Sequence, residues 1–161
     1  MKEGSLKVTK RKVTMRDFRA DTLLGGKQVL GSVITSPMEV HKLIIRGLPR
    51  EALRSLSTYS RLLENKEYLK KAVGISVRTT QRHKNTPEKR LNPEQSGRTW
   101  RYAEILAKTA ELFGTVEAAE TWLATPAMGL DQHRPIDLLA TPAGAGMVDQ
   151  LLTRLEYGVY T

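Results

Sequence analysis

Residues 65–85 read "NKEYLKKAVGISVRTTQRHKN", two short helix-like runs around the three residues Gly74, Ile75 and Ser76. Asn65 can cap the first run, and Gly74 can close it because glycine tolerates the left-handed backbone that often follows a helix. Ser76 can cap the second run, with Ile75 as an apolar plug beneath the turn. This is the layout of a helix-turn-helix, in which the second helix lies in the major groove and its first turns meet base edges. With Ser76 as cap, Arg78 and Arg82 fall four apart on one face, Thr79 and Gln81 sit beside them, and Lys84 follows. Arginine is the side chain best shaped to grip guanine O6 and N7. Ser76, Arg78, Thr79, Gln81, Arg82 and Lys84 are therefore the candidate DNA contacts. A plain helical hairpin has the same spacing. Lys70 stands where close helix packing favours a small residue, and Thr80 and His83 stand where larger apolar groups are expected.

Outward from this stretch the chain reads as helix on both sides. Ser36, Pro37 and Glu39 form a capping-box pattern, followed by Val40, Leu43 and Ile44 at helical spacing and a stop at Gly47. "LPREALRSL" starts again at Pro49, with Leu53 and Leu56 on one face. Trp100, Tyr102, Ile105, Leu106, Ala110 and Phe113 recur every three or four positions up to Gly114, the longest helical pattern in the chain. Thr115 caps "VEAAETWLAT", Pro135 opens "RPIDLLAT", and Thr141 with Pro142 opens a last helix whose stripe is Met147, Val148, Leu151, Leu152 and Leu155. No alternating strand pattern and no internal repeat interrupts this, so the expected fold class is all-α. Residues 1–34, with "KVTKRKVTMR", Gly25-Gly26 and no period, read as a basic flexible arm. The expected order is an arm over 1–34, a helix-turn-helix DNA-binding domain over 35–114 and a small helical domain over 115–161.

Charge divides the chain the same way. Residues 1–100 hold 22 Lys and Arg against 9 Asp and Glu, and residues 101–161 hold 4 against 8. A basic half next to an acidic one points to polyanion binding by the first and a different task for the second. The absence of cysteine removes disulfide and thiolate chemistry and fits a reducing cytoplasm. No apolar run reaches the roughly 18 to 20 residues of a membrane span, and the first thirty residues lack the apolar core of a signal peptide. His41, His83 and His133 are scattered without metal-ligand spacing, and there is no P-loop, GxGxxG or GxSxG. A soluble protein that is not an enzyme, with no cofactor and no metal, is expected. An enzyme or ligand-binding protein with an incidental basic surface is the rival from another class.

The chain's last residues raise a separate question. "RLEYGVYT" carries Tyr157, Val159 and Tyr160 past a helix whose apolar stripe ends at Leu155, with Gly158 able to turn the chain away. The run "FGTVEAAETWL", then Pro126 and Leu130, then "RPIDLLATPAG", Val148 and "LLTRLEYGVY" resembles the toxin-binding domain of Xre/MbcA/ParS-type antitoxins. "GLPREALRSL" through "VGISVRTTQRHK" is similar to the helix-turn-helix half of antitoxins of the RES-Xre type. The resemblance implies an antitoxin that blocks a RES-domain, NAD-consuming toxin and represses its own operon. It implies operator DNA and the cognate toxin as partners, and a homodimer that assembles with the toxin into a larger hetero-oligomer. It assigns toxin binding to Arg134, Arg154, Glu156, Tyr157, Gly158, Val159 and Tyr160, with "LEYGVY" at or near the toxin's NAD cleft. The alternative is a stand-alone regulator whose C-terminal module only dimerises.

Overall fold

A computed structural model describes residues 18–86 and 89–158. Those residues form ten α-helices and no strand: α1 (Ala20–Leu23), α2 (Gly26–Leu30), α3 (Pro37–Arg46), α4 (Arg50–Tyr59), α5 (Lys66–Val73), α6 (Val77–Arg82), α7 (Pro93–Phe113), α8 (Val116–Leu123), α9 (Pro135–Leu138) and α10 (Pro142–Glu156). Single 3-10 turns at Leu62–Glu64 and Met128–Leu130 join the set. The all-α expectation therefore holds. Among the described residues, no helix is long and apolar enough to cross a membrane.

The long helix α7 is the axis on which the rest is packed. Its 21 residues run about 32 Å at the usual rise, and Asn92 opens it through a capping box with Gln95. Ser96, Thr99, Trp100, Tyr102, Ala103, Ile105, Leu106, Ala107, Thr109 and Ala110 are all buried, so the helix is covered on nearly every side. The helices α1, α3, α5, α8 and α10 all pack on it. One continuous apolar core results, running from Leu23 to Leu152. Phe113, expected in the stripe, is partly exposed at the helix end and tilts against Trp122 at a ring-centroid distance of 5.8 Å.

The cap signals read from sequence are realised. Ser36 and Glu39 form their capping box, Asn65, Ser76, Thr115 and Thr141 each accept a backbone N–H, and Gly47, Gly74 and Gly114 follow their helices with positive φ. Along α10 the stripe is buried at Val148 and Leu152 and half-buried at Leu151 and Leu155. Met147 departs from it and is 44% exposed. The buried face is set by Ala145, Val148 and Leu152, and Met147 lies about 100° round the helix from Val148.

The expected arm over 1–34 needs correction in its second half. Residues 20–30 fold into α1 and α2, and Leu23, Leu24, Leu30 and Ile34 enter the core. Ser55 of α4 donates its hydroxyl to the Leu23 carbonyl at 3.1 Å, and Arg19 donates to the Ile34 carbonyl at 3.3 Å. Gly25 and Gly26, read as a sign of flexibility, build the corner between the two helices at φ 101° and 65°. A Cβ on Gly25 would come within 2.3 Å of the Val29 side chain. Helices of four and five residues are too short to show a period, so their leucines carried no readable pattern. The expectation for residues 1–17 lies outside the described residues.

Candidate nucleic-acid and partner interfaces

The turn between α5 and α6 is held from below. Leu69, Ala72 and Val73 fix α5 in the core, and Ile75 is buried as the plug. Gly74 adopts φ 75°, and its N–H donates to the Lys70 carbonyl at 2.9 Å. Arg98 of α7 reaches under the same turn and donates to the carbonyls of Lys70, at 3.3 Å, and Lys71. A cation at the carbonyl end of a helix is electrostatically favoured. A Cβ at Gly74 would lie 2.5 Å from an Arg98 nitrogen, so a side chain there would push the guanidinium off the carbonyls it serves.

Six residues make up α6, and none is buried. Ser76 accepts from the Thr79 N–H at 3.1 Å, the two hydroxyls meet at 2.9 Å, and Thr80 donates to the Ser76 carbonyl at 3.2 Å. Ser76 and Thr79 thus hold the start of the helix. Arg78, Gln81, Arg82 and Lys84 are exposed, and their side chains form no hydrogen bond or ion pair among the described residues. The poor sequence fits have a plain outcome: Lys70 and Thr80 face solvent, and His83 is half-buried. Burial pushes the His83 imidazole below its ordinary value, and the nearby cations Arg50, Lys89 and Arg82 push it the same way. Arg50 and Lys89 thus lie near the end of α6 together with its own Arg82.

Two polar clamps tie this region to the helices that follow α7. Glu120 of α8, 8% exposed, accepts the Arg61 N–H at 2.8 Å and the Leu62 N–H at 3.3 Å. Burial raises its carboxyl above the usual range despite those hydrogen bonds. Beneath it the Tyr102 phenol, fully buried and pushed upward by desolvation, meets the Ser60 hydroxyl at 2.7 Å. In the second clamp Arg134 grips Asp137 with two bonds, 2.7 and 3.0 Å, and donates to the Tyr68 hydroxyl of α5 at 2.8 Å. Its guanidinium carbon is 5.3 Å from the Tyr68 ring centre. Lys71 of α5 completes the set, 3.0 Å from Asp137 and 2.7 Å from Glu67. Partial burial alone would raise the Asp137 carboxyl, but the hydrogen bonds and charges of Arg134 and Lys71 outweigh it and hold the group below its ordinary value.

Of the residues assigned to toxin binding, Arg134 is turned inward onto α5. Arg154 and Glu156 lie exposed on the last turn of α10, Tyr157 is 75% exposed, and Gly158 leaves the helix at φ 67°. Val159 and Tyr160 lie outside the described residues. The sequence points to Arg134 as a toxin contact but to none of the interhelical bonds made by Arg98, Glu120, Lys71 and Arg134. Their partners on other elements lie 27 to 66 positions away, beyond the reach of local spacing.

Comparison with known proteins adds two family matches in succession. Residues 39–104 match the antitoxin Xre-like helix-turn-helix domain, and residues 108–158 match the antitoxin Xre/MbcA/ParS C-terminal toxin-binding domain. In both parts the chain is similar to antitoxins of the Xre/MbcA/ParS type. It is 38% identical over 92 residues to the protein named Antitoxin Xre of Yersinia enterocolitica, a stretch that covers 56% of this chain and 62% of that one. It is 25% identical over 133 residues to the Antitoxin Xre of Photorhabdus laumondii, covering 82% and 88%. The two family matches meet inside α7, so one continuous helix serves both matched regions.

Proposed function

We propose that this chain is the antitoxin of a type II pair whose toxin is a RES-domain, NAD-consuming enzyme. Residues 115–161 hold and block that toxin, and residues 35–114 bind the operator and repress the shared operon in the cytoplasm. The working form is a homodimer that reads two half-sites and assembles with toxin into a larger hetero-oligomer. The observation that carries the reading is the coexistence on one core of an exposed Arg78–Arg82 face, without an ion pair among the described residues, and an exposed aromatic residue at Tyr157.

At the operator, Arg78, Gln81 and Arg82 read bases, Lys84 meets phosphate, and Ser76 and Thr79 fix the helix start while presenting it to the backbone. At the toxin, Tyr157, Val159 and Tyr160 enter the cleft, Gly158 gives the turn, and Arg154 and Glu156 meet charges at the rim. Arg134 acts through the clamp that holds α9 on α5.

Co-expression with the product of the adjacent gene, followed by affinity pull-down, growth measurement and NAD assay, tests this. A retained RES-domain partner, restored growth and restored NAD are expected. Operator binding without any retained toxin would favour the stand-alone regulator instead.

A further inference from the structure

The turn that leads from α8 to α9 closes between Ala127 and His133, and it contains two consecutive left-handed residues that are not glycine. Asp131 has φ 51° and Gln132 has φ 65°. Side chains enter this region at a cost, and outside glycine it is normally visited by single residues. Here the surroundings impose it. The Ala127 N–H donates to the His133 carbonyl at 3.1 Å, the Gln132 N–H to the Ala127 carbonyl at 3.0 Å, and the His133 N–H to the Leu130 carbonyl at 2.9 Å. Leu130 is buried below, and Gly129 approaches α10 so closely that a Cβ there would lie 2.8 Å from Leu151. The turn is a fixed platform.

What the platform displays has no role within the fold. Met128 is 86% exposed, and the Asp131 and Gln132 side chains are exposed and form no hydrogen bond among the described residues. Glycine at 131 and 132 would hold the same backbone without strain. Strained residues that point outward from an over-determined turn are a mark of a functional surface.

We propose that Met128, Asp131 and Gln132 form a second contact surface for the toxin, a proposal that rests on the antitoxin reading above. The turn lies within residues 108–158, which match the toxin-binding domain, and through Gly129 it rests on Leu151 of α10, the helix whose end carries the exposed Tyr157 about 9 Å further along the axis. The partner's matching patch has an apolar recess for the Met128 thioether, which adapts readily to an irregular pocket. Opposite Asp131 it has a cation or an N–H donor, in keeping with the acidic balance of residues 101–161.

Full-length variants Asp131→Gly/Gln132→Gly and Met128→Ala, titrated against the RES-domain product of the adjacent gene, test the proposal. Each is expected to weaken binding by about tenfold or more. The thermal midpoint of the glycine pair should equal or exceed that of the unaltered chain. Should the glycine pair loosen the turn, Met128→Ala decides, because that exposed side chain supports none of the turn's bonds. Unchanged affinity in Met128→Ala and the glycine pair, with the unaltered chain binding, overturns this surface alone. If the unaltered chain does not bind that toxin, the antitoxin reading and this surface fall together.

Discussion

Arg78 and Arg82 extend from a helix with no buried residue, so shortening them removes a contact and leaves the core untouched. Either arginine replaced by alanine should cost about 1 to 3 kcal/mol at the operator while leaving the melting curve and toxin binding in place. Quantitative gel shifts with operator and scrambled duplex check this, and equal losses on both would assign the residue to phosphate. Asp137 is a different kind of residue, since its carboxylate accepts three hydrogen bonds from two cations, Arg134 and Lys71. Its folded-state value is depressed, so the stabilisation it contributes is present above the unfolded value and is lost as pH falls through the folded one. Replacing it by asparagine should cost about 1 kcal/mol at neutral pH, a partly exposed pair being screened by solvent. Urea titrations at neutral and acid pH should converge for the two proteins at the acid end. Glu120 has the opposite sign: its raised value means that its ionisation costs stability as pH climbs from the ordinary carboxyl range upward.

The elements show where local chemistry was enough to read the fold and where it was not. Asn65, Gly74 and Ser76 announce α5 and α6 because caps and left-handed stops act within four residues of themselves. The force that holds the turn in place comes from Arg98, 24 positions beyond Gly74 and on another helix, and no pattern near residue 74 reports it. Gly74→Ala should therefore cost more than the conformation alone, about 1 to 3 kcal/mol in stability, and should weaken operator binding further by displacing α6. Denaturant unfolding beside operator titration separates the two losses. At the other extreme, "DTLL" and "KQVL" were indistinguishable from loop, since a helix of one turn is stabilised by what it packs on rather than by its own period. Deleting residues 1–34 removes Leu23, Leu24 and Leu30 from the core, each worth about 1.5 to 3 kcal/mol when fully buried. The truncated chain should unfold at markedly lower denaturant, where a dispensable arm would have left the midpoint unchanged.

For the whole molecule, the two tasks differ in how they attach to the core, and two truncations expose the difference. The expected domain order invites a cut after residue 114 and the family matches one between 104 and 108, but α7 belongs to both parts, and Ala119, Leu123, Ile136, Leu139, Val148 and Leu152 close the core that includes it. Removing residues 115–161 also leaves the Arg61 and Leu62 N–H groups without Glu120, and Lys71 and Tyr68 without Asp137 and Arg134. Such a fragment should lose its cooperative melting transition and with it operator binding, even though α5 and α6 are intact in sequence. A cut after Leu155 is another matter. It spares Val148 and Leu152 on the buried face of α10 and removes Glu156, the exposed Tyr157, Gly158 and the three residues beyond. Aromatic side chains at a surface are the usual energetic anchors of an interface, and nothing in the core depends on Tyr157. The protein cut after Leu155 should melt within a few degrees of the full chain, shift operator DNA normally, and fail to rescue growth of cells expressing the toxin. Circular dichroism melts, gel shifts and co-expression growth curves read the three outcomes separately. Loss of the melting transition would place the tail in the chain's own core, and full rescue would place the toxin's grip elsewhere, the Met128 turn being the nearest candidate.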